Sequence, residues 1–462
     1  MNSIKVLNSF SMSLDNIAEI LLVEHLAAKR IGENVTVKGI STDTRTIEGG
    51  ELFLALKGPN FDGHNFIKIA LEKGAIACLV EDEVESGNVI ITKDTHQALG
   101  LLAKAWRNTF KKTVFAITGS NGKTTVKEMI ASILSQNQPV MATHGNLNND
   151  IGVPLTLFRL NDSYAAAVVE MGANHLGEIE YLTNITLPDI AIVTNVGAAH
   201  LEGFGSIENI AKAKGEIFQG LSKSGTAVIN ADDSFFDYFK EITTQYNVIS
   251  FGLNNKNYAD VTCDYKLSAE GSVLNVTTPK GNCSIKLKLL GTHNVTNALA
   301  AIAASIAADS SLEQIVNGLE KLKPVNGRLQ IKPGLNKSRV IDDTYNANPT
   351  SLHAAINVLH DFSGKRFLAL GDMGELGDNS DKLHIDAGKY AKQSGVDSLY
   401  SFGKLAAKAA KEFGGNGFCY DKHEDMIDAL RNELSQDVTL LVKGSRSMHM
   451  ENVVNALTMA ER

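Results

Sequence analysis

A lysine and a threonine follow a run of small residues at positions 118–124. This run reads Thr118-Gly-Ser-Asn-Gly-Lys-Thr124 and comes directly after the apolar stretch 114–117. A strand that enters a glycine-rich turn and then a helix presents backbone N–H groups and the positive end of the helix to an anion. Lys123 would offset charge on the β- and γ-phosphates of a nucleotide, and the Thr124 hydroxyl would reach Mg²⁺. The segment predicts a nucleotide site, with a purely structural glycine turn as the alternative.

The run is a variant of the strict phosphate-loop pattern. That pattern requires a glycine five positions before Gly122, where this sequence has Ile117. The turn is therefore expected to begin at Thr118 and Gly119. The residues expected to contact the nucleotide are Thr118, Gly119, Ser120, Asn121, Gly122, Lys123, Thr124 and Thr125.

A carboxylate and an imidazole follow two other apolar runs. Glu170 ends the run 165–169, and His200 lies in the loop after the run 189–195. Because the carboxyl ends of parallel strands meet at one edge of a sheet, both side chains are expected near Thr124. Carboxylate oxygens are ligands that Mg²⁺ prefers in proteins. A metal or phosphate role is predicted for both, with a solvated strand end for Glu170 and core packing for His200 as the alternatives.

Lys214 lies on the apolar face of a predicted helix. From 206 to 220 the apolar side chains follow helical spacing, and Lys214 is four residues after Ile210 and four before Phe218. Lys212 points away from this face. Burial would lower the pKa of Lys214 and leave a neutral amine. Such an amine can take up CO₂ to form an anionic carbamate that binds Mg²⁺, and a lysine stem that reaches out to solvent is the alternative.

The elements that must position these residues belong to an α/β protein. Over most of the 462 residues, short β-branched runs alternate with amphipathic segments. Breaks rich in polar residues, or in proline and glycine, occur at 108–112 and 322–327. We predict three domains, at 1–111, 112–323 and 324–462, each of ordinary domain size.

Composition excludes several classes of protein. With 44 Lys and Arg against 52 Asp and Glu, the net charge is −8, which argues against nucleic acid as the main partner. No run reaches the roughly 18 apolar residues that cross a bilayer, and Asp15 and Glu19 interrupt the first apolar stretch. We therefore expect neither a membrane span nor a secretion signal. The four cysteines form no CxxC pair, which favours free thiols and a cytoplasmic location.

Three predicted strands of the last segment end in polar loops, at 342–349, 371–377 and 443–446. Loops at the carboxyl ends of parallel strands converge on one crevice in a doubly wound sheet. We therefore predict a binding face that opposes the phosphate loop. The turns of the first segment, at 39–45 and 62–66, indicate no chemistry by themselves.

Five strings, taken together, resemble the Mur ligases, the ATP-dependent enzymes that build the peptide stem of bacterial peptidoglycan. The resemblance runs through all three segments in order. It implies an N-terminal α/β domain for a UDP-sugar, a central ATPase domain with a parallel sheet, and a C-terminal Rossmann-like domain. The strings are Thr118-Gly-Ser-Asn-Gly-Lys-Thr124, Asn146-Leu-Asn-Asn-Asp-Ile-Gly-Val-Pro154, His293-Asn-Val-Thr-Asn-Ala-Leu299, Asp342-Asp-Thr-Tyr-Asn-Ala-Asn-Pro349 and Gly371-Asp-Met-Gly-Glu-Leu-Gly377.

The resemblance also implies roles for the matching positions. Lys123, His200 and Lys214 are expected to act in catalysis, with Lys214 as a carbamate. The positions implied to bind or position Mg²⁺ are Thr124, Glu170, His200 and Lys214. Those implied for substrates and nucleotide are Ser41, Thr42, Asp43, Arg45, Asp62, Gly63 and His64 on the UDP side, Asn148 and Asn149 near the acyl substrate, and Asn297, Arg328, Asp343, Tyr345 and Asn346 around ATP.

The relatives that add meso-diaminopimelate carry an Asp-Asn-Pro-Arg string, whereas here Asn348-Pro349 is followed by Thr350. The absence of that arginine favours the family members that add a dipeptide, and the string Gly371-Asp-Met-Gly374 favours them too. The implied reaction joins D-alanyl-D-alanine to UDP-MurNAc-tripeptide through an acyl phosphate, with ATP and Mg²⁺. A monomer that binds no nucleic acid and inserts into no membrane is expected. The alternatives are a sibling ligase that adds one amino acid, a folylpolyglutamate synthase, a phosphate-loop NTPase without ligation, and a non-catalytic UDP-sugar sensor.

Overall fold

The computed structural model describes residues 9–84, 87–136, 138–198 and 200–459. The outermost residues of the first and last predicted domains, 1–8 and 460–462, lie outside these ranges. Within them, no helix has the length and apolar character that a bilayer crossing needs. The four cysteines are free, as the sequence predicts.

The first part of the chain forms a small α/β layer. Its main sheet has the order β2-β9-β8-β5-β4, in which β2 runs antiparallel to β9 and the other pairs are parallel. The strands are β1 (Ser11–Ser13), β2 (Ala28–Ile31), β3 (Thr36–Lys38), β4 (Ile40–Ser41), β5 (Leu52–Leu54), β6 (Lys57–Gly58), β7 (Phe61–Asp62), β8 (Ala77–Val80) and β9 (Val89–Thr92), and the helices are α1 (Leu14–Val23), α2 (Ile67–Glu72) and α3 (Thr95–Arg107).

The central part is built on a parallel sheet with the order β11-β12-β10-β13-β14-β15. Its four inner strands are almost continuous buried apolar runs, as expected where helices cover both faces. The strands are β10 (Thr113–Thr118), β11 (Val140–Ala142), β12 (Ala166–Glu170), β13 (Ile190–Val193), β14 (Thr226–Asn230) and β15 (Asn247–Phe251), and the helices are α4 (Lys123–Leu134), α5 (Gly152–Leu157), α6 (Glu178–Thr186), α7 (Leu201–Phe204), α8 (Ile207–Gly215), α9 (Phe236–Ile242), α10 (Thr292–Ala307) and α11 (Leu312–Lys321).

The order of this sheet explains where its polar residues gather. Strand β10 lies between β12 and β13, so the chain leaves β10 in one direction and later returns on its other side. This is the switch point at which open α/β sheets bind ligands, beyond the carboxyl ends of the strands. The phosphate loop after β10 is thereby set between Glu170 at the end of β12 and the loop after β13.

An antiparallel sheet in the central part was not predicted. It consists of β16 (Thr262–Ser268), β17 (Gly271–Thr278) and β18 (Gly281–Leu287). Its apolar residues Leu274, Val276 and Ile285 join the core that also contains α10 and α11. Alternation of buried and exposed residues along β17 is the pattern of a sheet with one solvated face, and this was the available signal.

The last part repeats the α/β plan with the order β19-β20-β24-β21-β22-β23. All pairs are parallel except β19 with β20. The adjacent carboxyl ends of β20, β24 and β21 carry the three predicted polar loops. The strands are β19 (Gln330–Pro333), β20 (Arg339–Asp343), β21 (Lys365–Gly371), β22 (Ser398–Phe402), β23 (Gly417–Tyr420) and β24 (Val438–Lys443), and the helices are α12 (Pro349–His360), α13 (Ser380–Gln393), α14 (Ala406–Phe413), α15 (His423–Glu433) and α16 (Glu451–Leu457).

The mixed and parallel sheets agree with the predicted α/β class. The predicted domain limit at 111/112 falls between α3 and β10, and the limit at 323/324 falls after α11. Both limits stay predictions. At the first limit, apolar residues from α3 and the central sheet share one continuous core.

Candidate active site

A cavity of about 1630 Å³ lies where the carboxyl ends of the central and C-terminal sheets face each other. Its walls come from loops that follow β10, β12, β13, β20, β21 and β24. Most of the predicted nucleotide and metal residues meet here. The predicted residues that line it are Ser120, Asn121, Gly122, Lys123, Thr124, Asn148, Asn149, Glu170, His200, Arg328, Tyr345 and Asn346.

Two glycines give the phosphate loop its shape. Gly119 has φ +151° and Gly122 has φ +82°, which are backbone conformations that favour glycine. A Cβ on Gly119 would come within 1.8 Å of Thr194 Oγ1, and a Cβ on Gly122 within 2.2 Å of Asn297 Oδ1. Asn297 therefore lies against the loop from behind and does not line the cavity.

Asn195, which the sequence analysis did not single out for a role, holds the phosphate loop in place. Its side-chain Oδ1 accepts a hydrogen bond from the Asn121 N–H (3.0 Å), and its carbonyl accepts one from the Ser120 N–H (2.9 Å). Lys123 Nζ donates to the Gly119 carbonyl at 2.7 Å. Burial lowers the pKa of Lys123 from its usual value, and the nearby Glu170 opposes that shift.

Glu170 is 2% exposed at the end of β12. One carboxylate oxygen, Oε1, accepts from Asn148 Nδ2 at 2.9 Å. The other, Oε2, has no hydrogen-bond partner in the described part of the chain, and its nearest cation is Lys127 Nζ at 4.0 Å. A buried carboxylate oxygen without a donor fits a bound cation.

The described residues contain no group of three His, Cys, Asp or Glu side chains that would hold a metal by themselves. Mg²⁺ needs no such group, because that ion takes few protein ligands and completes its shell with phosphates and water. Thr124 and Glu170 line the same cavity and are the residues that fit this role.

His200 has a partner that the sequence did not predict. Its Nδ1 lies against Glu375 Oε2 in the loop after β21. The His200 backbone has φ +55° and that of Glu375 has φ +60°, so both side chains stand on left-handed turns. The imidazole is thus oriented by the C-terminal part of the molecule.

The phosphate loop itself also contacts the C-terminal part, through Asn121 and Asn348. Asn348 caps α12, since its Oδ1 accepts from the Ser351 N–H at 2.9 Å. Its Nδ2 donates to Asn121 Oδ1 at 2.9 Å. The cap determines the orientation of the amide, so the donor faces the phosphate loop.

Lys214 is buried on α8, 3% exposed, as its helical position predicts. Its pKa lies well below the usual lysine value because of burial and the nearby positive charge of Lys123. Lys212 is exposed, as predicted. Ile207, which was predicted to lie on the buried apolar face, is 37% exposed because it stands in the first turn of the helix.

Asp343 and Lys443 form a buried pair on the C-terminal wall. Lys443 Nζ lies 2.5 Å from Asp343 Oδ2 and also donates to the Asn346 carbonyl at 2.9 Å. Arg328 lies over the Tyr345 ring, 4.0 Å from its centre. The pair of Asp343 and Lys443 therefore holds the loop that presents Tyr345 and Asn346 to the cavity.

Replacing Lys443 by methionine is expected to lower the free energy of unfolding by about 3–5 kcal/mol, because the Asp343 carboxylate stays buried without its cation. Urea unfolding of the variant measures the loss. The control is Lys408→Met, which removes an exposed ion pair with Asp381 and is expected to cost less than about 1 kcal/mol. Equal losses in the two variants would contradict the structural role of the buried pair.

The remaining predicted residues do not line the cavity. Those of the first domain bond mainly to one another: Arg45 Nε donates to Asp43 Oδ1 at 2.9 Å, and His64 Nδ1 lies 2.7 Å from Asp62 Oδ1. The predicted residues outside the cavity lining are Ser41, Thr42, Asp43, Arg45, Asp62, Gly63, His64, Thr118, Gly119, Thr125, Lys214, Asn297 and Asp343.

The first domain nevertheless reaches the cavity through His96, which was not predicted. His96 Nε2 lies 3.3 Å from Asp150 Oδ2, in the loop that also carries Asn148 and Asn149. A lone histidine at the start of a helix gives no sequence signal of this contact.

Comparison with known proteins gives one consistent result. Family models match three stretches: the Mur ligase family catalytic domain at 36–107, the Mur ligase middle domain at 117–305, and the Mur ligase glutamate ligase domain at 327–446. The UDP-N-acetylmuramoyl-tripeptide–D-alanyl-D-alanine ligase of Haemophilus influenzae is 43% identical over 96% of this chain and 98% of its own length.

Solved structures agree. MurF from Acinetobacter baumannii has a TM-score of 0.91 at 35% identity, covering 97% of this chain and 99% of the other. MurF ligase from Thermotoga maritima in complex with ADP has a TM-score of 0.81 at 29% identity, covering 90% of this chain and 96% of the other. The likeness therefore extends over all three parts of the molecule.

Proposed function

The chain belongs to the Mur ligase family, and we propose that it joins D-alanyl-D-alanine to UDP-MurNAc-tripeptide, with ATP converted to ADP and phosphate. The observation that carries this proposal is the cavity itself. It combines a phosphate loop, a buried carboxylate with an unpartnered oxygen, and an opposing wall from a second α/β sheet. The names of the similar proteins in Haemophilus influenzae and Acinetobacter baumannii support the choice of substrates.

The chemistry requires that the terminal carboxylate of the tripeptide attack the γ-phosphate of ATP. The acyl phosphate that forms is then attacked by the free amine of the dipeptide, and phosphate leaves as the amide bond forms. Lys123 offsets the charge that develops on the transferred phosphoryl group. Arg328, Tyr345 and Asn346 form the nucleotide wall on the C-terminal side, with Asp343 behind them.

Mg²⁺, when bound, neutralises phosphate charge, and Thr124 and Glu170 would hold it. His200, oriented by Glu375, stands on the same wall and positions the groups around it. We assign a carbamate to Lys214, because burial lowers its pKa and so favours the neutral amine, which can add CO₂ with loss of one proton. The carbamate would be a second negative group, in addition to Glu170, for the bound Mg²⁺.

We assign Asn148 and Asn149 to the acyl substrate, since they line the cavity beside Glu170. The UDP group would be held by Ser41, Thr42, Asp43, Arg45, Asp62, Gly63 and His64, which form two turns of the first domain. We further propose that the protein acts as a monomer in the cytoplasm, without nucleic-acid or membrane partners.

The experiment is phosphate release from ATP by the purified full-length chain with UDP-MurNAc-tripeptide, with and without D-Ala-D-Ala. We expect release to depend on both substrates, and mass spectrometry to detect UDP-MurNAc-pentapeptide. Running the lysine and meso-diaminopimelate forms of the tripeptide side by side identifies the preferred third residue. Release that follows a single amino acid would indicate a sibling ligase, and turnover indifferent to both substrates would contradict ligation.

A further inference from the structure

The loop after β24 presents one arginine, Arg446, on the C-terminal wall of the cavity. Ser445 fastens this loop to the neighbouring one, because its N–H donates to the Asp372 carbonyl (3.0 Å) and its Oγ accepts from the Gly374 N–H (2.7 Å). The next residue of that neighbouring loop is Glu375, the partner of His200. The backbone next to Arg446 is therefore fixed to the loop that carries Glu375.

Glu451 orients the guanidinium of Arg446. Arg446 Nη1 lies 3.1 Å from Glu451 Oε1, at the start of α16, while the Arg446 side chain stays 63% exposed. Glu451 Oε2 is buried and has no hydrogen-bond partner in the described ranges. Glu451 Oε1 also lies 3.4 Å from His449 Nδ1, so one carboxylate oxygen holds both side chains, and the other N–H groups of Arg446 are left for a further partner.

The other lysines and arginines that line the described part of the cavity have partners or roles of their own. Lys123 belongs to the phosphate loop. Arg328 stacks on Tyr345, and Lys332 Nζ donates to Asp342 Oδ2 at 2.7 Å. The side chain of Lys332 is 23% exposed and is therefore more enclosed than that of Arg446. Arg446 also has a carboxylate partner, Glu451, but its side chain is 63% exposed, so its remaining N–H groups can reach an anion in the cavity.

We propose that Arg446 binds the carboxylate of the incoming amine substrate, with Glu451 as the residue that positions it. This assignment rests on the proposed function, in which that substrate is a free dipeptide with a carboxylate at one end and the attacking amine at the other. A planar guanidinium binds a carboxylate through two parallel hydrogen bonds, which fixes direction as well as position. Binding at the carboxylate leaves the amine of the dipeptide free to attack.

The test compares D-Ala-D-Ala with D-alanyl-D-alaninamide, which lacks the terminal carboxylate. We expect the wild-type enzyme to show a KM about 10- to 100-fold lower for the acid than for the amide. In Arg446→Gln this preference should fall close to one, because the KM for the acid rises to that of the amide. The KM values for ATP and the acyl substrate should stay as in the wild type. Arg446→Lys, which keeps the charge, should retain part of the preference.

The matched control is Lys332→Gln, which removes a different cation from the same wall and should leave the preference intact. Thermal unfolding checks that each variant is folded. A preference that survives in Arg446→Gln, or disappears in Lys332→Gln, overturns the assignment while leaving the proposed function standing. A wild-type enzyme that ligates neither compound overturns both.

Discussion

The Lys123→Ala variant is expected to lose turnover by about 10²- to 10³-fold while remaining folded. Lys123 is the lysine of the phosphate loop, and its amine lies within the turn that faces the cavity. Its removal takes away the cation that we propose offsets the charge on the transferred phosphoryl group. Because burial already lowers the pKa of Lys123, the folded state gives up a poorly solvated charge and the fold should not weaken. Phosphate release at saturating ATP, tripeptide and dipeptide measures the loss.

Two further variants make this result interpretable. Lys112→Ala removes an exposed lysine just before β10 and should leave turnover unchanged. Lys123→Arg keeps a positive charge with a different shape and should recover only part of the activity. Turnover in Lys123→Ala within tenfold of wild type would show that the loop does not serve phosphoryl transfer.

The second large effect is expected at Lys214. Lys214→Ala should lower turnover by about 10²-fold or more, since the carbamate carboxylate would be lost from the metal side of the site. Short carboxylic acids such as acetate should partly restore activity, because they supply the missing carboxylate in the space left by the side chain. The measurement is turnover against acetate concentration in the variant and in the wild type.

The matched control for Lys214 lies two residues away on the same helix. Lys212 is exposed, so Lys212→Ala should keep full activity and show no response to acetate. Labelled bicarbonate offers an independent check, since wild-type protein should show a carbamate carbon by NMR that Lys214→Ala lacks. A folded Lys214→Ala protein that acetate does not rescue, together with no labelled carbon in the wild type, would exclude the carbamate.

The positions of the main groups followed from local patterns. Lys123 and Thr124 begin α4, Glu170 ends β12, and Lys214 is buried on α8, all as the strand and helix periodicities predict. These features depend on residues close together in the sequence. The polar loops of the C-terminal sheet were also predictable, because parallel strands bring their carboxyl ends to one edge.

The contacts between distant segments could not be predicted in the same way. The pair of His200 with Glu375 joins positions 175 residues apart by sequence number, and only the packed fold brings them together. Asn195 holds the phosphate loop through its side-chain oxygen and its backbone carbonyl, and a single asparagine after a strand carries no signal of that role. The antiparallel sheet was overlooked because helix–strand alternation dominates the rest of the chain.

The link between Asn121 and Asn348 has a consequence for the catalytic cycle. A neutral hydrogen bond contributes about 1 kcal/mol, which changes a population roughly fivefold. The pair of His200 and Glu375 is partly exposed, so it adds only about 0–1 kcal/mol. These two contacts are therefore weak links between the C-terminal loops and the loops of the central part. Breaking either of them when product leaves would cost little free energy, so neither contact by itself would hold the cavity closed.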